Sequence, residues 1–133
     1  MSTDYVLDAS ALVLALVGKT EAAGKLRTRL PIMRRHAPHL IDAEVGNVLR
    51  RHERTGLIST QEAHAALDAG RMLIEHRYPH VGPLAQLAWR WRDNLSFYDA
   101  LYVALAVRLS VPLVTADAKL LRTPGLACEI DLV

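Results

Sequence analysis

The sequence predicts an α/β fold with a central parallel sheet of about five strands covered by helices on both faces, three α/β/α layers in all. Three observations predict it. Short apolar strand-like runs alternate with longer helix-like runs along the chain, with no linker or internal repeat between them. Capping and breaking residues mark the handovers. Four handovers also carry a carboxylate: Asp8, Glu44, Asp99 and Asp117. In an open α/β sheet such handovers line the crevice outside the carboxyl ends of the strands, where ligands bind.

The elements read in order as follows. Tyr5-Val6-Leu7 is a short buried strand, and Ala9 to Val17 a mostly apolar helix. Thr20 caps a second helix through about Leu30, where Pro31 stops it. His36 to His39 is a weak second strand. Asp42 caps a helix to about Arg54, ended by Gly56, with Ile41, Val45, Val48 and Leu49 on one face. Ser59-x-x-Glu62 is a capping box that opens another helix to about Ile74. Tyr78 to Val81 reads as the third strand, and Pro83 starts a helix through about Arg92. Ser96-x-x-Asp99 resembles a second capping box, leading Tyr98, Leu101, Tyr102, Leu105 and Leu109 along a helix. Pro112 to Thr115 is the fourth strand, Asp117 to Leu121 a short helix, and Cys128 to Val133 the fifth strand.

Composition narrows the class. The 133 residues suit one domain spanning 1–133, long enough to bury a substantial core. With 51% hydrophobic residues the chain is not disordered. Its longest apolar stretch, Ala9 to Val17, is too short for a membrane span and follows no basic leader. A single cysteine, Cys128, excludes an internal disulfide and points to the reducing cytoplasm. In a terminal strand-like run it reads as a buried small hydrophobe.

Sixteen bases face fourteen acids, a net charge of +2. With the four handover acids neutralised by metal, sixteen bases face ten acids and the remainder carries +6. Thirteen of the bases are arginine, the side chain suited to bidentate phosphate contacts. They cluster at Arg27-Arg29, Arg34-Arg35, Arg50-Arg51-Arg54 and Arg90-Arg92. Taken singly, each cluster is a solvated helix face. Beside an acidic metal site, a polyanionic substrate, nucleic acid above all, is the better reading.

Each carboxylate also has a purely structural use. Asp8 and Asp117 can cap helices, while Glu44 and Asp99 sit in first turns where negative charge complements the helix dipole. Jointly that use explains less, because caps need not gather at one sheet edge, and Ser or Asn would serve as well. Four acids in one crevice repel one another unless a hard divalent cation lies between them. That pattern points to a metal-dependent enzyme.

Four segments carry a resemblance. Val6 to Leu12 (VLDASAL), Pro38 to Leu49 (PHLIDAEVGNVL), Ser96 to Ala106 (SFYDALYVALA) and Pro112 to Asp117 (PLVTAD) closely resemble the signature segments of PIN-domain ribonucleases. The likeness is closest to VapC-type toxins of bacterial toxin–antitoxin pairs, and it spans nearly the whole chain in order. It implies a three-layer α/β/α fold, Mg²⁺- or Mn²⁺-dependent RNA cleavage, homodimerisation, and inhibition by a small antitoxin encoded alongside. The acidic quartet carries over as Asp8, Glu44, Asp99 and Asp117. Ser10, Asn47 and Thr115 match positions that support the acids by hydrogen bonding. Direct ligation is assigned to Asp8 and Asp99, with Glu44 binding metal or orienting water, and Asp117 acting directly or through water. The RNA, possibly a tRNA or rRNA, is not carried over.

Other patterns weigh less. The six histidines form no zinc-like spacing and read as surface or packing residues. Trp89-Arg90-Trp91-Arg92 could stack bases and grip phosphates, but is read as core or dimer contact, and Phe97, Tyr98 and Tyr102 as packing residues. A haloacid-dehalogenase-like phosphatase expects a second acid where Ser10 stands. A receiver domain would match Asp8, Thr115 and Lys119 but lacks its acidic pair and its phosphoacceptor. No Gly-rich turn follows the first strand, against dinucleotide binding. From another class, a catalytically inactive PIN-like RNA- or protein-binding domain remains the alternative, against which the intact quartet argues.

Overall fold

The structure is a computed structural model describing residues 3–133. Its frame is one five-stranded, wholly parallel sheet with strand order β3-β2-β1-β4-β5. The strands are β1 (Asp4–Leu7), β2 (Arg34–Pro38), β3 (His76–Tyr78), β4 (Leu113–Thr115) and β5 (Ile130–Leu132). Among the described residues, seven α-helices connect them: α1 (Ala9–Val17), α2 (Glu21–Arg29), α3 (Leu40–Arg54), α4 (Thr60–Leu73), α5 (Pro83–Ala88), α6 (Phe97–Leu109) and α7 (Ala118–Leu121). Short 3₁₀ turns follow α2 at Leu30–Ile32 and α5 at Trp89–Trp91.

The chain leaves β1 toward β2 and β3, then returns across the sheet to β4 and β5. The β1/β4 boundary is therefore the topological switch point, where the crevice opens outside the carboxyl ends. Helices α1 to α4 pack against one another, and α5 packs on α6, which lies against β1, β2 and β4. Leu7 pairs with Val114 across that boundary, so Asp8 and Thr115 follow side by side at the strand ends.

Core placement explains the helices. α6 is buried at every residue from Ala100 to Ala106 and packs on β1, β2 and β4, as suits a helix apolar all round. Its alanines at 100, 104 and 106 allow close approach to the sheet. α1 packs against α2, α3, α4 and β4. Gly18, ending α1, is required by this packing: a Cβ there would lie 2.4 Å from the Leu14 carbonyl oxygen and 2.7 Å from the Ala23 Cβ. Arg27 closes the same corner by donating to the carbonyls of Ala15 and Gly18.

The caps at Thr20 and Ser59 form as the sequence predicts, the latter as a complete reciprocal box with Glu62. At Ser96 the hydroxyl accepts the Asp99 N–H at 3.1 Å, the forward half of such a box. Asp42 does not cap α3. The helix starts earlier, at Leu40, and Asp42 makes a two-pronged ion pair with Arg77 at 2.7 and 2.9 Å instead. The second strand also begins earlier, at Arg34. Its pairing with Asp4 draws two arginines into the sheet, and the Arg35 guanidinium reaches the carbonyls of Leu30, Met33 and Leu73. β3 is His76–Tyr78 because His36 and Pro38 pair with its ends, and Val81, expected inside a strand, is exposed. The fifth α-helix ends at Ala88, and the run to Trp91 tightens into 3₁₀.

Candidate active site

Asp8 is the anchor of the crevice. It follows β1, caps α1 by accepting the Ala11 N–H at 2.9 Å, and is 5% exposed. One carboxylate oxygen accepts the Ser10 hydroxyl at 2.6 Å and the other the Thr115 hydroxyl at 2.5 Å. Thr115, fully buried at the end of β4, also accepts the Asp117 N–H at 3.0 Å. Ser10 accepts the Ala116 N–H at 2.9 Å. Asp117 in turn caps α7 by accepting the Lys119 N–H. Two hydroxyls thus tie the β1–α1 and β4–α7 junctions into one rigid unit. Capping and site-building turn out to be the same contacts at Asp8 and Asp117.

Helices α3 and α6 bring the other two acids. Glu44, half-buried near the start of α3, accepts a hydrogen bond from the Tyr102 hydroxyl at 2.5 Å. Asp99, in the first turn of α6, lies one helical turn before Tyr102. Tyr102 is 2% exposed, a packing residue as the sequence reading has it, and its hydroxyl also reaches Glu44, a contact the sequence reading did not foresee. The signal was available in the i, i+3 spacing of Asp99 and Tyr102 on one helix. Asn47 is exposed on α3, one turn beyond Glu44, and makes no hydrogen bond to the acids among the described residues.

Electrostatics show the acids facing one another. Burial pushes the Asp8 carboxyl above its ordinary value, opposed by its Ser10, Thr115 and Ala11 hydrogen bonds, and the charge of Asp99 adds to the rise. Glu44 is raised by burial, held back by Tyr102, and raised further by Asp99 and Asp8. Asp99 is raised by burial and then by Asp117, with Ser96 and the positive charge of Lys119 opposing. The Tyr102 phenol is pushed far up by burial and by Glu44, so it stays a donor at any physiological pH. The charge of Asp99 thus bears on Asp8 and Glu44, that of Asp8 on Glu44, and that of Asp117 on Asp99.

Such a donor set fits a hard divalent cation. Every group is an oxygen, the charges repel without it, and Lys119 is the cation acting on Asp99. Among the described residues no three His, Cys, Asp or Glu side chains stand close enough to hold one ion together. Mg²⁺ takes oxygen ligands and keeps several waters, so one or two carboxylates would be enough to hold it.

The arginine clusters separate. Arg27, Arg29, Arg34 and Arg35 bond backbone carbonyls or acids of the fold, Arg29 holding Asp131 at 2.6 Å. Arg50, Arg51, Arg54, Arg90 and Arg92 are exposed and make no ion pair among the described residues. Of the histidines, His36 is buried with structural partners: one ring nitrogen lies 2.8 Å from Asp4, the other 2.7 Å from the Tyr78 hydroxyl.

Comparison with known proteins identifies the family. The PIN domain model matches residues 5–126. Ribonuclease VapC1 of Mycobacterium tuberculosis is 53% identical over 130 residues, covering 98% of each chain. Among solved structures, PAE2754 from Pyrobaculum aerophilum superposes with a TM-score of 0.68 at 27% identity, covering 92% of this chain and 86% of that one. VapBC2 from Rickettsia felis, solved bound to a DNA fragment from its promoter, gives a TM-score of 0.69 at 15% identity, covering 96% and 98%. With its parallel sheet, its switch-point acids and these relatives, the chain belongs to the PIN-domain family, among the VapC ribonucleases.

Proposed function

We propose that this protein is a metal-dependent endoribonuclease, the growth-inhibiting toxin of a toxin–antitoxin pair. The observation that carries the reading is the β1/β4 switch point, where the Ser10 and Thr115 hydroxyls tie Asp8 to the Asp117 junction with Glu44 and Asp99 close by, in a chain akin to VapC ribonucleases. Asp8 and Asp99 are the proposed direct ligands of Mg²⁺ or Mn²⁺, with Glu44 beside them and Asp117 acting directly or through water. When bound, the cation supplies Lewis-acid charge at the scissile phosphate and a water of lowered pKa.

The chain's own residues do the positioning. Ser10 and Thr115 fix both oxygens of Asp8, so its carboxylate cannot swing as substrate enters. The Tyr102 hydroxyl holds Glu44 charged and oriented toward the crevice, where it can accept a proton from the attacking water. Exposed arginines on α3 and beyond α5 supply positive charge for the RNA backbone.

A homodimer, a small antitoxin as partner and a cytoplasmic location complete the proposal, supported by kinship with VapC ribonucleases. No helix among the described residues is long and apolar enough to cross a membrane. An antitoxin can close the crevice by placing an arginine among the carboxylates. The test is twofold. Purified protein should cut a structured RNA with Mg²⁺ or Mn²⁺ and stop with EDTA, and induced expression should arrest growth until its genomic neighbour is co-expressed. Harmless expression of a folded, active nuclease would contradict the toxin role.

A further inference from the structure

The Trp89-Arg90-Trp91-Arg92 run divides in the folded chain. Trp91 is 4% exposed and donates its indole N–H to the Gly125 carbonyl at 3.2 Å, pinning the 3₁₀ turn to the loop before β5. Trp89, two residues earlier, is 58% exposed. Its ring meets Phe97 edge-on, with centroids 6.2 Å apart at 67°, and Phe97 is itself 40% exposed. The Arg92 guanidinium lies 5.7 Å from the Trp89 ring centroid and donates to the Trp89 carbonyl at 3.0 Å, which leaves most of its donors free. Phe97 opens α6, and Asp99 follows within the same turn.

We propose that Trp89, with Phe97 and Arg92, forms a stacking platform for one unpaired base of single-stranded RNA beside the acidic crevice. The proposal rests on the ribonuclease reading and adds a subsite to it. An exposed indole carrying a guanidinium suits a nucleotide: the ring takes the π-face of any base, and the cation takes the adjoining phosphate. Arg90 and Arg92, both exposed and without an ion pair among the described residues, match a polyanion. The same pair opposes self-association, since a two-fold contact would bring identical cations together. Anchoring by Trp91 makes the platform rigid before RNA arrives, which lowers the ordering cost. Phe97 and Asp99 belong to the first turn of α6 and leave it on different sides, so roughly one helix diameter, about 10–12 Å, lies between the stacked base and the acids, a span of a few nucleotides.

The experiment uses the full chain in EDTA, so that RNA is bound and not cut, with a fluorescein-labelled single-stranded 12-mer of mixed sequence. Trp89→Ala should weaken binding about five- to hundredfold, while Trp89→Phe stays within about threefold of wild type. Only two tryptophans exist, and only Trp89 is exposed, so RNA should quench wild-type emission and leave that of Trp89→Phe unchanged. Arg92→Ala should reduce the slope of log affinity against log salt by roughly 0.7. Unchanged affinity in Trp89→Ala would overturn the platform, as would its conversion of a dimer into a monomer in sedimentation, which would identify a second copy as the cover. Wild-type protein that neither binds nor cuts RNA would instead remove the ribonuclease reading itself.

Discussion

Tyr102→Phe deletes one oxygen and leaves the ring in place, which isolates the hydrogen bond to Glu44. The hydroxyl donates at 2.5 Å to a carboxylate that burial, Asp99 and Asp8 all push toward protonation. A hydrogen bond to a charged group contributes about 1.5–3 kcal/mol. Glu44 is only half-buried, so the lower part of that range applies, about 1.5–2 kcal/mol near neutral pH. An unfolding entropy of roughly 2.1 cal/mol/K per residue turns this into a melting temperature lower by about 5–7 °C. The sign with pH follows from linkage. The hydroxyl holds the folded-state pKa of Glu44 below where it lies in Tyr102→Phe, so its charge-dependent contribution is fully present above the variant's pKa and is lost as pH falls through the wild-type one. Once Glu44 is neutral the lost bond is an ordinary one of about 1 kcal/mol, and the deficit should shrink to roughly half. Metal-free thermal melts of both proteins from pH 4 to 8 at constant ionic strength measure this. No deficit, or one of equal size at both ends of the range, would refute the coupling of Tyr102 to an ionised Glu44.

Asp8→Asn keeps a good helix cap and removes one of the repelling charges, so the metal-free variant should melt at or above wild type near neutral pH. Because the folded Asp8 carboxyl is raised above 3.8, its contribution to metal-free stability is full below that value and lost as pH rises through the raised one. The rise in melting temperature produced by Mg²⁺ or Mn²⁺ should shrink in the same variant, and a clear metal-free loss with an undiminished metal shift would make Asp8 a cap alone. Gly18→Ala should cost about 1–3 kcal/mol, read as a lower melting temperature, since its Cβ would press on the Leu14 carbonyl and Ala23. Unaltered melting would mean that α1 and α2 separate without penalty.

What the sequence made legible was chemistry at chain positions, and what it hid was three-dimensional register. The alternation of elements predicted the parallel, two-sided sheet, and the family resemblance is borne out by the PIN match and the VapC relatives. Thr20 and Ser59 announced their helices because capping is a local interaction. Strands of three to five residues are different, since their limits depend on what neighbours them. Arg34 and Arg35 enter β2 only because β1 lies alongside, and the apolar signal of Val81 had no strand to pair with. Asp42 looked like a cap until Arg77, 35 residues away, claimed it. Trp89 and Trp91 share a composition and a periodicity, and only the loop at Gly125 separates buried from exposed. Tyr102 was visible as a core residue, whereas its hydroxyl's partner, Glu44, lies on another helix 58 residues before it.

The most direct measurement is the single-turnover rate at which wild type and Asp99→Asn cut one RNA in saturating Mg²⁺ or Mn²⁺. The charge of Asp99 bears on Asp8 and Glu44, and that of Asp117 bears on Asp99, so its removal touches every proposed member. The account predicts a loss of about 10²-fold or more in a variant whose circular dichroism and melting are those of a folded protein. Cleavage by Asp99→Asn at the wild-type rate would contradict the carboxylate cluster as the site of reaction.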